Sequence, residues 1–411
     1  MKTKSKDPYI ALKYSDFRYF LIVKVLMTLA IQFQSVIVGW HVYSLTRDPL
    51  SLGLIGLVEI LPNFSVTLFA GHFADLYDRK KIVASCLMVL ILCSISLFYT
   101  SYYVQNNQLY LIYITIAISG FARGIVSPSL FSIMTECVPK EHYVNSTSWH
   151  STLWQIAFML GAGGSGFLFS GIGYQTYLVI TFFITMALIT LIFISPKPHL
   201  KKNDPKAPML SSIKSGIKFV FKNEIFIGAI SLDLFAVLFG GAVALLPIFA
   251  NDILKVGPQG LGFLKAAPSV GSFMMAAVLV YYPPVHNTGK KLLWAVFGFG
   301  VCMIIFALSK NFYLSLFVLA VSGAFDNVSV VVRGTIMQTL IPNDMKGKVY
   351  AVNSIFIGSS NEIGAFESGV AAKALGVVPS VVFGGTMTLL VVIFTALRAP
   401  KLRNLNFADR N

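Results

Sequence analysis

The chain has 411 residues, of which 56% are hydrophobic and only 12% charged, and its formal net charge is +15 at pH 7. A soluble chain of this length carries about 25% charged residues, so the composition excludes an ordinary water-soluble domain. Its four cysteines and six histidines form no close-spaced metal or redox motif, which leaves a metal or redox enzyme without support.

Apolar stretches of about 20 residues recur from end to end, each long enough to cross the hydrocarbon core as a helix. In chain order the sequence predicts helices at 17–44, 50–75, 82–101, 108–134, 143–170, 173–195, 223–250, 258–281, 290–308, 312–337, 347–372 and 377–398. The expected fold class is therefore an all-α membrane protein with twelve transmembrane helices in two six-helix bundles. The first apolar run, from Phe17, is too long for a cleaved leader and lacks a small-residue cleavage site, so no cleavable signal peptide is expected. Cys86, Cys93, Cys137 and Cys302 fall in or at the ends of helices and are expected to be small packed residues.

The distribution of charge fixes an orientation. With both termini cytoplasmic, the opposite-side loops hold only Arg47, Lys255, Lys310 and Lys373. Lys24, Arg123, Lys265 and Arg333 lie within helices, and the other 24 of the 32 Lys and Arg are cytoplasmic. That asymmetry is the positive-inside pattern. The basic charge sets topology and argues against a nucleic-acid partner.

The largest hydrophilic interruption, 196–222, is rich in Lys and Pro and separates an N-terminal bundle (1–195) from a C-terminal bundle (223–398) and a tail (399–411). Residues 211–222 fit either an amphipathic helix on the membrane surface or a plain linker. The two sides of the loop look alike. Gly53 in LSLGLIG matches Gly262 in PQGLGFLKA at an offset of 209. SGFARGIVSPSLFSIMTECVP (119–139) matches SGAFDNVSVVVRGTIMQTLIP (322–342), with Gly120 against Gly323 and Pro139 against Pro342 at an offset of 203. Two halves repeated in parallel are expected of one large transporter class.

Between helices 2 and 3 stands GHFADLYDRKK (71–81). It resembles the loop signature of the major facilitator superfamily, a Gly, an acid four residues on and then a basic cluster. Gly71, Asp75, Arg79, Lys80 and Lys81 fit; Leu76 and Asp78 depart, where the family has Arg and Gly. Asp tolerates a left-handed conformation better than most residues, so the tight turn is expected to survive. The resemblance implies a gate in which Gly71 permits close helix approach and Asp75, paired with Arg79, faces a helix N-terminus. Read for topology alone, the three cations are anchors. The second half keeps Lys290 and Lys291 but no acid, so the gate is expected to be asymmetric.

An ionisable side chain at membrane depth costs a few kcal/mol or more and is a functional candidate by default. The acids are Glu59, Asp233, Asp326, Glu362 and Glu367; the bases are Lys24, Arg123, Lys265 and Arg333. Five acids against four bases leave at least one acid unpaired, and such an acid is suited to loading and releasing a proton. Asp233 is the first candidate for coupling, with a polar anchor as the structural alternative. Asp326 and Arg333 are seven apart, on one face, but too far for a direct pair. Arg123 fits either a relay or substrate residue or a structural ion pair. Helix 11 carries Ser359, Ser360, Asn361, Glu362, Glu367 and Ser368, too polar to face lipid, and is expected to face a cavity.

LGAGGSGFL (160–168) loosely resembles the glycine-rich helix 5 of the family's antiporters, though small residues for packing explain it as well. Phe33, Trp40, Trp149, Trp154, Phe235 and Phe239 either line an amphiphile-binding cavity or pack. Residues 320–370 most resemble the bacterial branch that includes the enterobactin exporter. That resemblance implies a secondary transporter of the inner membrane, with efflux of amphiphilic small molecules or siderophores driven by proton entry. The expected partners are a small-molecule substrate, protons and the lipid bilayer, with a monomeric chain and no cofactor or metal. An importer or facilitator of one solute, or a membrane receptor or enzyme that does not transport, remains the alternative. No Walker motif or nucleophile constellation supports an ATP-driven pump or an enzyme.

Overall fold

The structure is a computed structural model, and it describes residues 8–76, 78–195, 215, 217–221, 223–240, 242–284, 286–342 and 345–407. Of these, the side chains of 67–76, 140, 144, 346–348, 350–352, 354–355 and 359 lie outside the description. The chain is helical almost throughout. The long helices are α1 (Ser15–Thr46), α2 (Pro49–Leu76), α3 (Arg79–Tyr103), α4 (Gln108–Glu136), α5 (Tyr143–Ile172) and α6 (Thr176–Ile192). They continue with α7 (Glu224–Phe239), α8 (Gly257–Tyr281), α9 (Thr288–Leu308), α10 (Phe312–Leu340), α11 (Lys346–Leu375) and α12 (Val377–Arg398). Among the described residues, ten helical stretches are long and apolar enough to cross a membrane, one of them running through both α5 and α6. α11 carries Ser360, Asn361, Glu362, Glu367 and Ser368 among its apolar residues.

Large apolar side chains face outward in number: Tyr281 is 81% exposed, Val280 78% and Leu397 72%. An apolar exterior on that scale suits hydrocarbon rather than water. All four cysteines are buried and none forms a disulfide, as expected of packed residues.

The predicted helix 223–250 ends early. The chain leaves α7 at Gly240, passes through a 3-10 turn (Ala242–Leu245), and closes with a π turn (Phe249–Ile253). A Cβ at Gly240 would lie 2.6 Å from the Phe299 ring, so only glycine fits there. Pro247 then lacks the N–H that a continuous helix would use.

The chain folds into two compact units, Met1–Leu45 with Val58–Asn203, and Thr46–Leu57 with Asp204–Asn411. In the first, α3 packs along α4 and α6. In the second, α8 and α9 flank α10, while α7 lies against α11 and α12. The core of the second unit runs through Phe226, Leu232, Leu292, Val332, Ile336 and Leu402. Val220 and Phe219, from the described part of 211–222, join it. The segment Thr46–Leu57 is seated in this unit. A Cβ on Gly53 would come within 3.0 Å of the Gly369 Cα, and Arg47–Asp252 and Lys373–Asp48 each pair at 3.3 Å.

Packing repeats between the units. A Cβ added to Gly120 of α4 would sit 2.3 Å from the Glu59 carbonyl oxygen of α2. A Cβ added to Gly323 of α10 would sit 1.9 Å from the carbonyl oxygen of Pro268 on α8. Glu59 and Pro268 are related by the offset of 209 that relates Gly53 to Gly262, so one helix crossing is built twice. Arg47 and Lys255, which stand just before α2 and α8, both take left-handed φ, 50° and 55°. Gly323→Val is expected to destabilise the protein by about 1–3 kcal/mol through overpacking. Gly334→Ala, where a Cβ meets nothing within 4 Å, is expected to be near neutral. Thermal unfolding in detergent compares the two; equal effects would contradict the crossing.

Candidate functional site

The loop motif is only partly described. Gly71 and Asp75 fall in the last turns of α2, and their side chains lie outside the described residues. Asp78, the departure from the family pattern, is not left-handed: its φ is −59°, and it caps α3 by accepting from the N–H groups of Lys80 (2.9 Å) and Lys81 (3.4 Å). The turn that glycine would have eased is held by a cap instead. Arg79 pairs with Glu136 at the end of α4. Lys80 donates to the carbonyls of Ile192 (2.7 Å) and Ile194 (2.6 Å), satisfying the C-terminus of α6. Lys81 is exposed. Two of the three cations therefore tie helices together as well as carrying charge.

In the first unit, Arg123 pairs with Glu59 of α2 and donates to Ser119 through Nε (3.3 Å) and Nη2 (3.1 Å). Gln34 of α1 donates to the same hydroxyl at 3.4 Å. The arginine is thus held by three helices, its ion pair reached over the Gly120 crossing. Trp154 is 42% exposed on α5 and packs against Phe158. On the same helix Tyr143, Thr147, Ser148, Ser151 and Thr152 line an open cleft of about 600 Å³. The sequence reading missed this hydroxyl-bearing face, although its polar residues recur at helical spacing.

The second unit brings three predicted residues to one place. Asp233 of α7 and Arg333 of α10 form a buried ion pair, and Arg333 Nε donates to the Ser329 carbonyl at 3.3 Å. A small pocket beside them, with about 20 Å³ of free space, is lined by Asp233, Ala236 and Val237 of α7, Ala295, Val296 and Phe299 of α9, and Phe325, Asp326 and Ser329 of α10. Asp326 sits at the midpoint of α10, about 21 Å along the helix from Phe312. It is exposed to this space and has no ion-pair partner among the described residues. The repeat explains why. Asp326 occupies the place of Arg123, and the place of its partner Glu59 is taken by Pro268, which has no side-chain charge to offer.

The remaining candidates scatter. Glu362 lies beside Gly56, where a Cβ would come within 3.0 Å of Glu362 Oε2. Glu367 is half-buried on α11, and exposed Asn361 donates back to the Ile357 carbonyl at 2.9 Å. Phe235 is 37% exposed and stacks on Phe239. No group of His, Cys, Asp and Glu able to hold a metal occurs among the described residues.

A family model described as transmembrane secretion effector matches residues 6–411. The chain belongs to the major facilitator superfamily. Among its relatives is an MFS-type transporter of Bacillus subtilis, 24% identical over 63% of this chain and 67% of its own. The multidrug efflux pump Tap of Mycolicibacterium fortuitum is 19% identical, covering 90% of this chain and 92% of its own. The enterobactin exporter of Shigella boydii is 22% identical, covering 94% and 92%. Solved structures of similar fold include the nucleoside transporter NupG, with TM-score 0.72 at 12% identity over 94% of this chain and 98% of its own. A bacterial homologue of the iron transporter ferroportin, in an inward-facing state, scores 0.71 at 13% identity over 95% and 99%. This major facilitator protein is a multi-pass membrane transporter with efflux proteins among its relatives.

Proposed function

We propose that this protein exports amphiphilic small molecules or siderophores across a bacterial inner membrane in exchange for protons, by alternating access. Twelve crossings, cytoplasmic termini and a monomeric chain complete the reading, which the positive-inside charge asymmetry supports. Efflux is supported by the relatives named for multidrug efflux and enterobactin export.

Asp326 is the observation that carries proton coupling. It is a carboxyl at mid-helix, open to a cavity and free of a cation, whereas Asp233 is neutralised by Arg333. A carboxylate there is costly when charged and tolerated when protonated. It therefore takes a proton where the cavity meets the acidic side and gives it up towards the cytoplasm, with no bond other than O–H made or broken. The coupling role expected first of Asp233 passes to Asp326, and Asp233 becomes the fixed half of the pair beside it. Asp75 and Gly71 act in the cytoplasmic gate, with Arg79 and Lys80 bracing the helices around it.

Expression in a host stripped of its own efflux pumps tests this reading. Resistance to several unrelated amphiphilic toxicants, with lower cellular retention of each, is the expected result. Unchanged retention of every compound, or greater uptake of one solute, would replace export with import or with no transport.

A further inference from the structure

The repeat that strands Asp326 strands a cation in the other unit. α1 and α7 start at Ser15 and Glu224, the offset of 209 found at Gly53 and Gly262, so Lys24 stands where Asp233 stands. Asp233 is answered by Arg333, but the matching residue in the first unit is Leu130, 2% exposed and without charge. Lys24 is therefore half-buried about 14 Å along α1 with no ion-pair partner among the described residues. The described acids of this unit are otherwise engaged or remote. Glu59 holds Arg123, Glu136 holds Arg79, Asp16 accepts from Ser195 N–H and Oγ, Asp78 caps α3, and Glu141 is exposed at the foot of α5.

A second nitrogen base lies in the neighbourhood of Lys24. His150 of α5 lies within its electrostatic reach, and the imidazole stands 5.8 Å from the ring of Phe20, one turn before Lys24 on α1. His150 is half-buried, and its neighbours Thr147 and Ser151 line the open cleft on the same helix. Two bases with no described carboxylate beside them make a site that lacks an anion.

We propose that Lys24 and His150 form an anion-binding subsite and that the transported molecule carries an acidic group, such as a carboxylate, beside an apolar or aromatic body. This inference rests on the transport reading but not on its direction or coupling. Lys24 supplies the charge and His150 a directed N–H donor. At that depth along the helix the ligand is a solute rather than a lipid headgroup.

The test uses purified full-length protein in phosphatidylcholine nanodiscs and three probes that differ only in charge: 2-naphthoate, 2-naphthamide and 2-naphthylmethylammonium. Tryptophan quenching reads binding at equilibrium, independent of any proton gradient. Naphthoate is expected to bind at least tenfold more tightly than the amide. Lys24→Gln removes that preference without weakening amide binding, Lys24→Arg keeps it, and His150→Gln reduces it several-fold. Nanodiscs doped with phosphatidylglycerol give the same preference if a solute is the ligand; competition by that lipid identifies a headgroup and overturns the solute assignment. Equal binding of acid and amide, no binding of either, or a preference that survives Lys24→Gln also overturns the proposal. None of these results bears on proton-driven export, which fails separately if accumulation in vesicles ignores the pH gradient.

Discussion

Asp326→Asn is expected to abolish transport driven by a pH gradient while leaving the protein folded, inserted and able to exchange substrate for substrate. The substitution keeps the shape of the side chain and removes its ability to change charge. Because Asp326 faces a cavity and has no described ion-pair partner, the amide breaks no pair. The expected pattern is specific: loss of at least tenfold in gradient-driven accumulation, with counterflow within about twofold of the parent. Accumulation and counterflow are measured in the same proteoliposomes. Equal loss of both would make Asp326 a substrate or structural residue, and undiminished accumulation would remove it from coupling.

The opposite behaviour is expected one helix away. Asp233 and Arg333 are both buried, with side chains 9% and 10% exposed, and each neutralises the other. Removing one partner of such a pair strands a charge at a cost of about 3–5 kcal/mol. Asp233→Asn and Arg333→Gln are each expected to lower the unfolding temperature sharply and reduce the amount of protein recovered from the membrane. The double variant, in which neither charge is left alone, is expected to be more stable than either single variant. Thermal unfolding of the four proteins in one detergent closes the cycle. Additive losses would mean that the two side chains act independently. A well-folded Asp233→Asn that loses only gradient-driven transport would return the coupling role to Asp233.

Much of this arrangement is legible in the sequence because it depends on local pattern. Long apolar runs give the helices, and the Gly120–Gly323 match marks a crossing where backbone approaches backbone. The list of charged residues inside helices already contains the members of both intramembrane pairs. Which acid meets which base is a tertiary fact. Spacing along α10 already puts Asp326 out of direct reach of Arg333, but that Arg333 takes Asp233 from another helix is not encoded in it. Asp78 shows a similar limit. The family pattern suggests a left-handed glycine substitute, whereas the same side chain competes better as a helix cap. Gly240 and Pro247 mark the end of α7 in the sequence, but that Phe299 of α9 excludes any side chain at Gly240 is a tertiary fact.

The duplication organises the charge. Position for position, Lys24 and Arg123 of the first unit stand against Asp233 and Asp326 of the second, so the two units present opposite signs on one scaffold. One residue of each set is neutralised, Arg123 by Glu59 and Asp233 by Arg333. Lys24 and Asp326 have no ion-pair partner among the described residues, and they are the two to which the proposals assign substrate and proton.

The central claim is that proton entry drives the transport cycle. Its most direct test is accumulation of a fluorescent amphiphile in inverted membrane vesicles containing the full chain, with an acid-interior gradient imposed and then collapsed by nigericin. Export coupled to protons predicts uptake that rises with the gradient, vanishes on its collapse, and is accompanied by proton release from the vesicle interior. Uptake of equal size without the gradient, with no substrate-dependent proton movement, would contradict it.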